Sequence, residues 1–168
     1  MENLTVIELK EVLDYDPDSG EFIWLNAPNN RYVKNGDIAG TLADGYIRIK
    51  IRGKKYAAHR LAWLYMTENW PSGEIDHING IKYDNRYDNL RTANRSENRR
   101  NVSCYSGSPS GLKGVTKWKG RWRARISINK KQVWLGYYND PIEAAKSYDR
   151  AAIRYHGEYA KLNFPRER

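Results

Sequence analysis

The chain has 168 residues, 40% of them hydrophobic, and a mean hydropathy of −0.86, which suits one or two small modules and excludes a single large apolar core. No apolar run approaches the roughly 20 residues of a membrane helix, the N-terminus lacks the basic-then-apolar order of a secretory leader, and a single cysteine, Cys104, excludes an internal disulfide and a cysteine zinc site. The net charge of +9 is unevenly divided, since residues 1–90 hold 11 Lys+Arg against 14 Asp+Glu (−3) and residues 91–168 hold 18 against 6 (+12), an electrostatic footprint for a polyanion such as nucleic acid.

In chain order, Thr5 and Glu8 of "TVIE" form a capping box that opens a short helix with Val6, Leu9, Val12 and Leu13 facing inward. "DPDSG" at Asp16 to Gly20 breaks it. A small β-meander follows: "EFIWL" at Glu21 to Leu25, then "GYIRIKIRGKKYAAH", where Ile47, Ile49 and Ile51 alternate with Tyr46, Arg48 and Lys50 before a turn at Arg52 and Gly53. "RLAWLYM" at Arg60 to Met66 is apolar at Leu61, Leu64 and Tyr65, as in a short buried helix.

Next comes "EIDHINGIKYDNRYDNLRTANRSENRRN", from Glu74 to Asn101. "EIDHI" reads as a strand, "NGIKYDNRYDN" as a polar loop and "LRTA" as a returning strand. Asn94 with Glu97 then predicts the start of a helix. "NVSCYSGSPSG", between Asn101 and Gly111, has the Ser, Gly and Pro content of a flexible linker. The predicted division is therefore 1–101, a linker at 102–111, and 112–168.

The last segment alternates cleanly. In "RWRARISI", Arg121, Arg123, Arg125 and Ser127 share one strand face and Trp122, Ala124, Ile126 and Ile128 the other. In "QVWLGYY", Val133 and Leu135 alternate with Gln132, Trp134 and Gly136, which puts Trp134 with the arginines. Asp140 and Pro141 are an N-cap and first helical residue, and Ala144, Tyr148, Ala151 and Tyr155 recur at helical spacing until Gly157. Three strands and one helix are predicted.

Water attacks a phosphodiester only when it loses a proton and the charge on the phosphoryl and leaving oxygens is stabilised. A histidine titrating near 6.5 takes such a proton at neutral pH. Adjacent strand residues point to opposite faces, so Asp76 can serve a cation while His77 serves the nucleophile. Mg²⁺ keeps several waters and needs only one or two protein oxygens, such as Asp76 and an asparagine amide. The plainer reading is a surface Asp-His pair in a polar loop.

The series from Asp76 to Asn101 resembles the HNH motif of phage and intron homing endonucleases, the ββα-metal nuclease fold, with Asp76-His77, Asn89 and Asn98 in the motif positions. "YDPDSGEFIW", "GDIAG" and "AHRLAW" are similar to N-terminal segments of the same group. The resemblance implies His77 as general base, Asp76 and Asn98 as metal ligands, and Asn89 as the asparagine bracing the loop against the catalytic strand. It implies one divalent metal, Mg²⁺ with Mn²⁺ as a substitute, and leaves Asn79, Asn85 and Asn101 without a role. His59 reads as a packed, hydrogen-bonded histidine and His156 as a helix-end residue interacting with the dipole.

The stretch from Lys113 to Pro165 resembles the Apetala-two/ethylene-response-factor DNA-binding domain, most strongly in "WLGYY", "EAAKSYDRAAI" and "AKLNF". That domain lays a three-stranded sheet into the major groove. Arg121, Arg123, Arg125 and Trp134, with Lys113, Lys117 and Lys119, are the candidate DNA contacts. Thr116, Ser127 and Gln132 stand where the plant domains usually carry arginine, so the plant target sequence is not inherited. The expected fold is α+β: a β-meander leading into an HNH unit at about 74–101, then a three-stranded antiparallel sheet on one helix. The expected function is a site-preferring endonuclease acting on double-stranded DNA as a cytoplasmic, phage-type monomer that nicks one strand per engagement. The rival is a non-catalytic, sequence-specific DNA-binding regulator.

Overall fold

The computed structural model describes residues 4–29, 31–102, 104 and 108–164. Within the predicted linker, residues 103 and 105–107 lie outside the described residues, as does Pro165 at the end of the second resemblance. The chain is a mixed α+β protein with small antiparallel sheets, as its alternating and helical periodicities predict. It forms two compact units, Met1–Asn94 and Arg95–Arg168. This division falls before the helix that follows Asn94, whereas Ser, Gly and Pro content places it after Asn101.

In the first unit, α1 (Val6–Val12) starts at the predicted capping box, with Thr5 and Glu8 bonding reciprocally. Glu8 also takes a hydrogen bond from Arg52. β1 (Leu13–Tyr15) and β2 (Phe22–Trp24) form a two-stranded ribbon, and β3 (Thr41–Ala43), β4 (Tyr46–Ile51) and β5 (Lys54–Ala57) a three-stranded sheet. Arg52 and Gly53, both at positive φ, make the tight turn between β4 and β5. α2 (Ala58–Thr67) presents Leu61 and Leu64 to a core shared with Leu9, Leu13, Phe22 and Ile49. β6 (Glu74–His77) pairs antiparallel with β7 (Leu90–Ala93), setting Asp76 opposite Arg91 and His77 opposite Leu90.

The β1–β2 turn holds the loop between β6 and β7. Tyr15 Oη donates to the Asn85 carbonyl at 2.7 Å, and the Tyr87 amide donates to the Pro17 carbonyl at 3.0 Å. Gly20 makes this approach possible, because it sits at φ +77° and a Cβ there would lie 2.4 Å from the Arg86 nitrogen.

The second unit begins with α3 (Arg95–Arg100), a helix with no buried residue. The Lys113 ammonium donates to the Arg100 and Val102 carbonyls, anchoring the helix's C-terminal end within this unit. β8 (Val115–Trp118), β9 (Arg121–Ile128) and β10 (Lys131–Tyr138) form the antiparallel sheet, with β9 central. α4 (Pro141–His156) is capped by Asp140, whose carboxylate accepts from the Ile142 amide at 3.0 Å, and ends at Gly157. It packs Ala144, Ala145, Tyr148 and Ala152 against Val115, Ala124 and Ile126. Tyr155, expected on that inner stripe, is 44% exposed, because the inward face runs through Ala152 and His156 at the helix end.

Gly20→Ala is expected to destabilise the chain by roughly 2 to 4 kcal/mol, combining left-handed backbone strain with a clash against the loop backbone. Thermal unfolding measures it, and a variant melting with the wild type would show that the turn does not clamp the loop.

Candidate functional site

β6 is buried along both faces at Ile75, Asp76 and His77. The alternation of the strand sends Asp76 and His77 to different partners. Asp76 Oδ2 accepts from Arg91 Nε at 2.9 Å and Nη2 at 2.7 Å, straight across the β6–β7 pair. A buried carboxylate needs such compensation. Arg91 is not among the predicted site residues, although pairing "EIDH" against "LRTA" places it beside Asp76.

His77 enters an aromatic cluster. Its ring meets His59, on the first turn of α2, edge-on at 5.1 Å between centroids, and Tyr46 of β4 lies 5.3 Å from His59 and 6.1 Å from His77. Two cations flank the cluster, with Lys82 Nζ 4.9 Å and Arg48 5.5 Å from the centre of the Tyr46 ring. Burial pushes the His77 pKa below the ordinary imidazole value, opposed by its contact with Asn85 and by the charges of Asp76 and Asp84. His77 is therefore neutral at neutral pH and able to accept a proton. His59 is driven further, down to about 3, mainly by burial and then by His77, Arg60 and Arg48. The packed character expected of His59 is present, but its buried Nδ1 has no hydrogen-bond partner.

Amides hold the loop that follows. Asn89, in a 3-10 turn at Tyr87–Asn89, accepts from the Asn79 amide at 3.0 Å through its side-chain oxygen and donates to the Asp84 carbonyl at 2.8 Å. Its own carbonyl accepts from the Ile78 amide at 2.9 Å. Asn79 Nδ2 donates to Asp84 Oδ2, and Arg86 clasps the same carboxylate, holding its pKa at about 2. Asn85, only 3% exposed, receives a long 3.5 Å contact from His77 Nε2 and donates to the Tyr83 carbonyl. Asn79 and Asn85, which have no role by resemblance, are thus structural members of this loop. Asn98 is half-buried on α3, which belongs to the second compact unit.

Asp76 and an asparagine amide are hard oxygen donors. No group of three or more His, Cys, Asp or Glu side chains suited to a metal occurs among the described residues. The set fits a cation that keeps most of its water and takes one or two protein oxygens, as Mg²⁺ does, and does not fit a tetrahedral zinc site.

In the second unit, one sheet face carries Arg121, Arg123 and Arg125 as predicted. Trp134 lies opposite Arg125 and is 56% exposed, and the Arg123 guanidinium sits over both Trp134 at 4.7 Å and Trp118 at 5.0 Å. Trp118 is a member of this face that strand alternation in β9 and β10 does not identify. A bulge between Trp134 and Gly136 changes the rest: Gly136 falls opposite Ala124 and Tyr137 opposite Arg123, so exposed Tyr137 replaces Gly136 on the arginine face. The lysines are dispersed. Lys117 pairs with Trp122 and reaches over its ring, on the face away from the arginines, because Thr116 and Trp118 occupy the other phase of β8. Lys119 stands in the β8–β9 turn at φ +46°. Lys113 is engaged with the Arg100 and Val102 carbonyls, and burial draws its pKa down to about 8. No described helix is long and apolar enough to cross a membrane.

Residues 56–100 match the family model described as HNH endonuclease. The chain is also similar to APETALA2-like protein 2 of Oryza sativa subsp. indica, 44% identical over 69 residues that make up 39% of this chain and 16% of that protein. Ethylene-responsive transcription factor WRI1 of Arabidopsis thaliana is 44% identical over 70 residues, 39% of this chain and 16% of its own length. AP2-like ethylene-responsive transcription factor PLT2 of the same plant is 31% identical over 119 residues, 66% of this chain and 21% of its own. The chain thus spans 16 to 21% of the length of these relatives. An HNH segment is combined with similarity to AP2/ERF proteins.

Arg91→Ala is expected to cost about 3 to 5 kcal/mol in chemical denaturation, because it strands a buried carboxylate; a loss below about 1 kcal/mol would mean that Asp76 does not depend on it. His59 supplies a second expectation. Its folded pKa of about 3 lies below the unfolded value of about 6.5, so the unfolded chain binds more protons between them and stability falls as pH drops through that window. From pH 6.5 to 5 this contributes about 2 kcal/mol. His59→Phe removes that share, and parallel stability curves for wild type and variant over this range would refute the assignment.

Proposed function

We propose that the chain is a metal-dependent DNA endonuclease of the phage and intron homing type, in which the C-terminal sheet selects a site and the β6–β7 unit cuts the phosphodiester backbone. The observation that carries this reading is a buried His77 one residue after a buried Asp76, with the following loop fixed by Asn85 and Asn89. His77 acts as the general base. Its Nε2 contact with Asn85 Oδ1 orients the ring within the loop. Asp76 would hold the cation, and the HNH resemblance implies the amide of Asn98 as a further oxygen ligand. A bound Mg²⁺, or Mn²⁺ in its place, supplies positive charge for the phosphoryl and leaving oxygens. Asn89 acts through loop order. One such site engages one strand, so a monomer nicks.

Arg121, Arg123, Arg125, Trp134, Trp118 and Tyr137 form the reading surface. Arginine supplies bidentate contacts to guanine and phosphate, while the indoles brace its guanidinium planes. Lys119 reaches phosphate from the hairpin tip. The similarity to proteins named as transcription factors favours a second reading, a DNA-binding regulator whose HNH unit is scaffold.

Supercoiled plasmid incubated with protein and either Mg²⁺ or EDTA separates the two. Relaxed circles are expected with Mg²⁺ only, with His77→Ala slowing single-turnover cleavage by about 10² to 10⁴-fold while DNA binding in EDTA is retained. Asp76→Ala and Asn98→Ala are expected to require more Mg²⁺. Intact plasmid under every metal condition, with tight binding, would establish the regulator instead; wild-type cleavage by His77→Ala would remove the general base from this reading.

A further inference from the structure

Within the second unit, a cavity of about 580 Å³ opens where α3, the β9–β10 turn and the end of α4 converge. Arg95, Arg99, Arg100, Lys113, Lys130 and His156 line it, and no carboxylate does among the described residues. Arg95 and Arg99 are one helical turn apart and so share a face of α3. Lys130 enters from the β9–β10 turn at φ +65°. Lys113 is turned to the Arg100 and Val102 carbonyls, which leaves Arg95, Arg99, Arg100 and Lys130 around one concavity, where solvent or an anion would offset their mutual repulsion.

His156 provides an independent sign of a ligand. It is 8% exposed, and its Nε2 lies 3.1 Å from the Ser127 carbonyl. A carbonyl only accepts, so Nε2 carries the proton and donates, which leaves the lone pair on Nδ1. That Nδ1 is buried without a hydrogen-bond partner. An unsatisfied nitrogen at this depth costs free energy, and a proton delivered beside an anion would turn it into a donor.

We propose that this cavity is a phosphate-binding site that grips a backbone phosphodiester of the same DNA duplex read by the sheet. The choice of DNA follows from continuity. Asn129 and Lys130, on the wall of the cavity, lie in the turn of the β9–β10 hairpin whose strands carry Arg121, Arg123, Arg125 and Trp134, and Ser127 presents its carbonyl to His156. From Arg121 to Ser127 the strand covers roughly 20 Å, about six base pairs at 3.4 Å each. A duplex lying on the arginine face and running on past the hairpin turn therefore passes Asn129 and Lys130 within a helical turn. The proposal rests on the DNA-binding part of the reading above and is independent of catalysis.

The test uses the full chain in EDTA, where no cleavage occurs. Binding to a 24-base-pair duplex is measured over a salt range for wild type and for Arg99→Gln/Lys130→Gln, both positions being exposed. The slope of log K against log salt is expected to flatten by about two units, roughly one for each phosphate that the variant no longer neutralises. In parallel, the His156 imidazole resonance of the wild type, assigned with His156→Gln, is followed as duplex or inorganic phosphate is added. A shift with duplex at low micromolar phosphodiester, absent with equimolar inorganic phosphate, supports the site. An unchanged salt slope in a folded double variant overturns the proposal, and so does a still His156 resonance under saturating duplex. A shift produced equally by inorganic phosphate makes the cavity a small-anion site and also overturns it. If the chain binds no DNA at all, the DNA-binding part of the functional reading falls with it. If it cuts DNA while slope and resonance stay fixed, this inference alone fails.

Discussion

Burying a carboxylate and an imidazole side by side in a four-residue strand is the constraint to which the first unit is built. Asp76 would be intolerable at 4% exposure without Arg91 directly across the β6–β7 pair, and His77 remains uncharged because its surroundings disfavour the imidazolium. Neither condition can be met by two short strands alone. Asn89 and Asn79 tie the loop to the strand, Asp84 and Arg86 stiffen its far side, and the β1–β2 turn presses on its back through Gly20 and Tyr15. The apolar core formed by α1, α2 and the meander acts as the platform on which that loop is held.

The second unit solves a different problem. Four alanines on the inner face of α4, Ala144, Ala145, Ala151 and Ala152, flank Tyr148 and let the helix sit close to one face of the sheet, leaving the other to solvent. That face is not a diffuse basic surface. Arg123 lies between two indoles, which limits the rotamers of a long side chain and reduces the entropy lost when it engages a partner. Exposed tryptophan and tyrosine beside oriented guanidinium groups suit recognition of a nucleic acid better than they suit solubility.

Much of this is legible in the residues because it depends on local periodicity. The Thr5–Glu8 capping box, the alternation of Ile47, Ile49 and Ile51, the Arg/Trp alternation of β9 and the Asp140–Pro141 helix start all appear where the pattern places them. What is not legible depends on register or on distance in three dimensions. One bulge moves Tyr137 onto the arginine face in place of Gly136, and the phase of β8 sends Lys117 to the opposite side. β3 is exposed at every residue, so Thr41 to Ala43 lack the alternation that marks a half-buried strand. The meeting of His59 with His77 and Tyr46 joins three segments, and spacing within any one of them does not reveal it. In the candidate site, the motif locates Asp76, His77 and Asn89, whereas Arg91 and Asn85 emerge only from strand pairing and loop geometry.

The central claim is that one chain couples a reading sheet to a cutting strand. Its most direct measurement uses a duplex selected from random sequence in EDTA: the protein's footprint is mapped by hydroxyl radicals, and Mg²⁺ is then added to map strand breaks on the same DNA. The account predicts nicks on one strand at a fixed offset from the footprint, lost with His77→Ala while the footprint persists. Breaks scattered without relation to the footprint, or a footprint with no break under any divalent metal, would contradict it.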